Sequence, residues 1–340
     1  MRQTFFILMS LCAMAVLSGC GGDMVIFNSK GQIGVEQGNL ILIATALMLL
    51  VVIPAIFMTF WFAWKYRESN QDAEYLPDWS HSTKIEIVVW AVPIAIICVL
   101  GVITYKVSHS LDPYKALTDE KIANSIKANP NQAVAQQAQK EPVTIQVIAE
   151  QWKWIFVYPD QNIATINEVV FPVNTPVNFK ITSNSVMNSF FIPQLGGQIY
   201  AMAGMKTQLH LIADELSDKD GKPGFGPNDG YRGISANYSG YGFSQMRFRA
   251  HAVTNAEYAA WIDQVKTSGK TLDMATLRQL RDEPKTRPTH PHPVTYYSSV
   301  EPNFFQSVID QYMPAAHHGS EASHQSGHAA TSSHTAVVEE

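Results

Sequence analysis

Residues Gln37–Arg67 read QGNLILIATALMLLVVIPAIFMTFWFAWKYR, and from Gln37 to Trp64 no residue carries a charge. About twenty apolar residues suffice to cross the hydrocarbon of a bilayer, and a helix inside a soluble core has no use for a longer run. Trp61, Phe62 and Trp64 followed by Lys65 and Arg67 form the aromatic-then-basic border of a membrane interface. Pro54 is tolerated in such a helix. A second uncharged run, Ile87 to Tyr105, closes at Lys106. Two spans near the N-terminus are therefore expected.

Working outward toward the N-terminus, residues 1–19 carry Arg2, an apolar stretch from Phe5 to Leu17, and then Leu17-Ser18-Gly19-Cys20. The apolar stretch is too short to span, which marks an exported signal sequence. Small residues before a cysteine are the bacterial lipoprotein pattern, so the thiol of Cys20 is expected to take a lipid and become the first residue of a segment 20–107 that holds both spans. A lipidated Cys20 lies outside the cytoplasm, and an even number of spans returns the chain to that side after Lys106. The loop between the spans carries Lys65, Arg67 and Lys84, in accord with a cytoplasmic position. Glu86, at the cytoplasmic start of the second span, has two readings: an interfacial carboxylate paired with Lys84 or capping the helix, or a group serving proton passage.

Toward the C-terminus the solvent changes. Residues 108–142 are rich in Ala, Gln, Asn and Lys, with Pro113, Pro130 and Pro142, and read as a linker. Strand signals then crowd together in 143–253: Val143 to Ile148, Trp152 to Tyr158, Glu168 to Ile181 interrupted by Pro172 and Pro176, Gln208 to Ile212, and Met246 to Val253. Short strands between turn residues predict an antiparallel Greek-key sandwich or barrel. Within 254–313, Thr254-Asn255-Ala256-Glu257 is a capping box opening a helix through Lys266, and Leu272 to Asp282 is a second helix. Residues 314–340 combine Ser, Ala, Gly and His without periodicity, a disordered tail whose His317, His318, His324, His328 and His334 are its one feature with metal chemistry. Gly221, Pro223, Gly224, Gly226, Pro227 and Gly230 mark 216–232 as a flexible insertion.

The net charge of −5 over 340 residues is mild and asks for no nucleic acid. The 3 cysteines, Cys12, Cys20 and Cys98, all precede the strand-rich region, which therefore has neither a disulfide framework nor a thiolate metal site.

Three segments carry a resemblance. They are Gln151-Trp152-Lys153-Trp154-Ile155-Phe156-Val157-Tyr158, Ser185-Val186-Met187-Asn188-Ser189-Phe190-Phe191-Ile192-Pro193, and Ser235-Ala236-Asn237-Tyr238-Ser239-Gly240-Tyr241-Gly242-Phe243-Ser244-Gln245-Met246. With the two spans before them, and with Lys84 to Pro93 at the start of the second, they resemble subunit II of the haem–copper terminal oxidases over roughly residues 20–260. The resemblance implies a cupredoxin-like fold for 143–253. In that family a dinuclear copper centre takes two histidines, two cysteines, a methionine and a glutamate carbonyl. Here the first histidine position is Asn188 and the cysteine positions are Ser235 and Ser239. The glutamate position is Asn237, the second histidine position is Phe243, and only Met246 is kept. Soft copper needs thiolate and imidazole, so no copper is expected on this chain.

With that departure the chain resembles the quinol oxidases, especially the cytochrome o-type ubiquinol oxidases, which share the lipidated start and the Met187–Pro193 segment. Glu301–Tyr312 is similar to the aromatic C-terminal region of that group. The resemblance implies a proton-moving oxidase in the bacterial inner membrane, with the C-terminal domain in the periplasm. Quinol is oxidised and dioxygen reduced at haem b, haem o and copper in subunit I, beside subunits III and IV. This chain is expected to hold no cofactor and to meet membrane lipid but no cytochrome c. A carboxylate at the Glu86 position implies a proton-path entrance. A menaquinol-using subunit II and a stand-alone cupredoxin-like lipoprotein remain alternatives.

Overall fold

The structure, a computed structural model, describes residues 24–72, 74, 78–135, 138, 141–217, 229–283 and 288–313. The expected signal sequence, Cys20, most of the glycine-rich insertion and the His-rich tail lie outside the described residues.

The uninterrupted apolar run forms helix α1, Gln32–Lys65, and the second run forms α2, Thr83–Ser110. Both are long and apolar enough to cross a membrane, and no residue of the apolar stretch of either is buried among the described residues. At 1.5 Å per residue, the 34 residues of α1 reach about 51 Å, well beyond the hydrocarbon of a bilayer. The surplus is the N-terminal end, where Ile33 and Gly34 are buried against the β domain and Gly38 beside Ile26. Gly34 N–H donates to the Leu195 carbonyl at 3.1 Å, and Lys30 N–H donates to that of Gln194 at 2.6 Å. Glycine is needed here for close approach. A Cβ on Gly34 would lie 3.2 Å from the Leu195 carbonyl carbon and 2.7 Å from Ser29 Oγ. The first span thus runs on into the core of the β domain.

The stretch expected to be a linker is not one throughout. It contains helix α3, Asp119–Ala128, capped by the Thr118 hydroxyl, and a single turn α4, Gln132–Ala135. Helix α3 buries Ile122 and Ser125. Asn174 Nδ2 donates to Ser125 Oγ at 3.0 Å, and Asn129 Nδ2 donates to Asn174 Oδ1. Its packing face is largely polar, which is why composition alone reads as solvated.

The β domain is a two-sheet sandwich, as the strand pattern predicts, but it is not antiparallel throughout: Val143–Ala149 pair in parallel with Val177–Ser183, and Arg249–Val253 with Glu168–Pro172. One sheet contains β1 (Val143–Glu150), β2 (Lys153–Tyr158), β3 (Ile163–Ile166), β5 (Val177–Ser183), β8 (Thr207–Leu211) and β12 (Thr295–Tyr297), in the order β12-β3-β2-β1-β5-β8. The other runs β4-β10-β9-β6-β7, built from β4 (Glu168–Pro172), β6 (Asn188–Phe191), β7 (Gln198–Ala201), β9 (Tyr231–Ser235) and β10 (Arg247–Val253). Aromatic side chains fill the space between the sheets. The Phe190 and Phe248 rings stack at 5.1 Å, and Trp154 meets Phe190 edge-on at 5.3 Å. Gly233 lies opposite Phe248 in the ladder, and a Cβ there would sit 2.1 Å from its ring, so only glycine fits.

Residues 254–313, expected as a separate C-terminal region, complete the same domain. Helix α5, Asn255–Lys266, opens on the expected Thr254/Glu257 capping box and buries Trp261. Trp261 Nε1 donates to Glu168 Oε1 at 3.1 Å, and the Tyr296 hydroxyl of β12 donates to the same oxygen at 2.8 Å. Helix α6 (Met274–Asp282), the two-residue strands β11 (Thr271–Leu272) and β13 (Ser299–Val300), and helix α7 (Phe304–Asp310) cover the outer face of the six-stranded sheet. There Leu277, Phe304 and Val308 pack on Ile148, Ile155 and Ile166. Strand β2 is therefore apolar on both faces rather than alternating.

Candidate functional site

The three segments singled out in the sequence meet at one end of the sandwich. Asn188 opens β6 and Ser235 closes β9, and both are buried. The Ser235 hydroxyl donates to Asn188 Oδ1 at 3.0 Å, and Asn188 Nδ2 donates to the Val186 carbonyl at 3.0 Å. Asn237 Nδ2 donates to the Met187 carbonyl at 3.2 Å, and Ala236 N–H to that of Ser189 at 3.0 Å. Met246 is fully buried, and its carbonyl accepts from Ser235 N–H at 3.2 Å. Asn188, Ser235, Asn237 and Met246 are thus brought together and bound to one another or to the adjoining backbone.

Phe243 and Ser239 sit on the loop between β9 and β10. Phe243 begins a short turn and presents its ring edge to Tyr238 at 5.2 Å. The buried Ser239 hydroxyl has no partner among the described residues. An amide, hydroxyls and one thioether do not make a site for copper, whose soft ions take thiolate and imidazole. The residues present do not fit the dinuclear centre. Among the described residues no group of three or more His, Cys, Asp or Glu is placed to hold a metal.

Trp152 is the residue whose part the sequence reading missed. It sits in the β1–β2 turn with φ +60, and its ring forms the floor on which the loop lies. A Cβ on Gly240 would come within 2.5 Å of that ring, and one on Gly242 within 2.4 Å. Gly240 also has φ +124, where only glycine is unstrained. The available signal was the Gly240-Tyr241-Gly242 pair of glycines around an aromatic residue. Beside this turn Glu150 is buried, accepting from Gln151 N–H at 2.8 Å and from Asn184 Nδ2, and burial pushes its carboxyl above the usual range.

Glu86 lies in the first turn of α2, at the end of the span that leads away from the sandwich. It is exposed, and its Oε1 is 3.1 Å from His81 Nδ1. Its partner is His81, not the Lys84 weighed in the sequence.

Family models match three segments: "RTA1 like protein" over 1–120, "Cytochrome C oxidase subunit II, periplasmic domain" over 161–219, and "COX Aromatic Rich Motif" over 266–315. The cytochrome bo(3) ubiquinol oxidase subunit 2 of Pseudomonas putida is 50% identical over 307 residues, covering 90% of this chain and 86% of that one. Its counterpart in Pseudomonas aeruginosa is 47% identical, covering 97% of this chain and 87% of that one. The quinol oxidase subunit 2 of Bacillus cereus is 30% identical, covering 82% and 87% respectively. With half of the residues identical along nearly its whole length, and with its spans, sandwich and aromatic-rich end in the family's order, the chain belongs to the ubiquinol oxidase subunit 2 family of the haem–copper oxidases.

Proposed function

We propose that this chain is the second subunit of a proton-translocating ubiquinol oxidase of the inner membrane, and that it holds no redox centre itself. The observation that carries the reading is the identity of 42–50% with subunits named for cytochrome bo(3) ubiquinol oxidase. Subunits named only for quinol stand at 30–31%, which favours ubiquinol over menaquinol. The electron chemistry belongs to haem b, haem o and copper of subunit I. The former ligand loops of this chain act there as a rigid, hydrogen-bonded surface.

Of the polar groups that might have faced an ion, Asn188, Ser235 and Asn237 are given internal tasks instead, and Ser239 alone is left without one among the described residues. Asn188 and Ser235 tie β6 to β9, and Asn237 ties the loop to Met187. Electrons from a soluble cytochrome c have no entry here. The two spans place the domain at the membrane, Cys20 adds a lipid anchor, subunits III and IV complete the assembly, and Glu86 with His81 collects protons at the cytoplasmic border.

The test is to tag this chain, purify the complex from membranes, and measure oxygen uptake with ubiquinol, menaquinol and reduced cytochrome c. Haem-containing complex with ubiquinol-driven uptake and none from cytochrome c is the expected result. Isolation of the chain without haem, or uptake driven by cytochrome c, refutes the reading.

A further inference from the structure

A cleft of about 450 Å³ opens where both spans leave the membrane and meet the sandwich. That volume is in the range of small-ligand sites. From α1 it is lined by Ile33, Glu36 and Gln37, and from α2 by Lys106, His109 and Ser110. These are the residues where each uncharged run gives way to polar chain, so the cleft sits at the depth of lipid headgroups. Tyr105, 69% exposed and set edge-on to His109 at 4.6 Å, marks the same level.

The charges of the cleft divide into two sets. Lys121 is spent within the protein: its Nζ bonds Glu36 Oε2 at 2.9 Å and the Ser110 carbonyl at 2.8 Å. Four lining groups are left: Lys106, Lys115, Asp112 and Glu120. None of them makes an ion pair among the described residues. Two ammonium groups and two carboxylates line the cleft with no net charge and no ion pair among the described residues; Asp112 Oδ1 accepts from Tyr114 N–H at 3.0 Å, which leaves its charge uncompensated. A simple anion would satisfy the lysines and be repelled by the acids.

We infer that this cleft binds the headgroup of an outer-leaflet phospholipid that bears a primary amine, such as phosphatidylethanolamine. The phosphodiester meets Lys106 and Lys115, and the lipid's ammonium donates to Asp112 and Glu120. A quaternary choline has no N–H to donate, and a glycerol headgroup brings no cation. The acyl chains lie along the exposed apolar faces of α1 and α2, where Ile41, Leu42 and Val102 are open to lipid. The inference rests on the two spans and is independent of the oxidase reading.

The full chain in detergent, observed by native mass spectrometry, is titrated with phosphatidylethanolamine, phosphatidylcholine and phosphatidylglycerol. One molecule of phosphatidylethanolamine should be retained, at least about tenfold tighter than either of the others, for loss of a charge-assisted hydrogen-bond set. K106Q/K115Q should lose that binding about tenfold, and K106R/K115R should keep it, which separates a lost site from a misfolded variant. D112N/E120Q should bind lipid but no longer prefer ethanolamine to choline. Equal binding by K106Q/K115Q and the unaltered chain overturns the site. Preference for phosphatidylglycerol overturns the amine assignment, and displacement of the lipid by millimolar inorganic phosphate shows an anion site instead.

Discussion

Replacing Gly34 by valine probes the continuity between the first span and the sandwich. Rotation of Ser29 moves its Oγ but not its Cβ, 2.9 Å from a new Cβ, and the Leu195 main chain is held because Leu195 N–H is bonded to Ile192 O at 3.0 Å. With two further methyl groups to house, α1 must retreat from the loop. The Gly34 N–H to Leu195 O bond is then lost, at about 1 kcal/mol. Ile33, 7% exposed, comes away from Leu195, at about 2 kcal/mol for a side chain of that size. Valine's better helix propensity than glycine's returns only about 0.4 kcal/mol. The net loss of about 2.5 kcal/mol corresponds to a fall in Tm of roughly 5–10 °C for a domain of this size. Tryptophan fluorescence of the full chain in detergent during heating measures it. Gly101→Val is the control, since a Cβ on Gly101 meets nothing within 4 Å and should leave Tm unchanged. A Gly34→Val melt within about 2 °C of the unaltered chain would refute the claim that α1 is part of the core.

Glu86→Ala should lower quinol oxidase turnover severalfold at unchanged haem content, with Glu86→Asp keeping much of it. Oxygen uptake per haem checks this, and equal turnover returns Glu86 to a structural role at the helix start. Copper added to the purified chain should produce no visible or near-infrared band, while a stoichiometric purple species would contradict the account of Asn188, Ser235 and Ser239. Cys20→Ala should abolish labelling by radioactive palmitate yet leave the chain in the membrane fraction through α1 and α2. The carboxyl of Glu168 is raised by burial, so between its ordinary value and its raised one the folded chain holds the more protons, and stability falls as pH climbs through that window. Glu168→Gln keeps an acceptor for Trp261 and Tyr296 and should flatten this decline in melts across pH 4–8; an unchanged slope would count against it.

The spans were legible because an apolar run of that length has no other stable home. The capping box at Thr254 and the aromatic strand β2 were equally plain, since their signals are local. Strands β6, β7, β9 and β12 were not, because three to five residues such as Tyr231–Ser235 hold their conformation through neighbours on either side. Helix α3 escaped because Ser125 and Asn129 secure it through Asn174, some fifty residues away. At the positions that the resemblance aligns with copper ligands the residue types were readable, but the pairing of Asn188 with Ser235 needed the ladder that sets β6 beside β9. Trp152 was visible as part of an aromatic run, whereas its role under the loop depends on a positive φ that nothing in the run announces.

The hydrogen bonds among Asn188, Ser235 and Asn237 also set what substitution at these positions would cost. A histidine at 188 would strip the Ser235 hydroxyl of its acceptor and Val186 of its donor, while offering one imidazole where no thiolate stands. A cysteine at 235 alone would abandon the same bond for a weaker donor. Each single step toward metal binding loosens the loop before any ion can repay the loss. A copper site is therefore fenced off from this chain by a run of less stable intermediates, and its sequence can drift far more readily in other directions than toward metal.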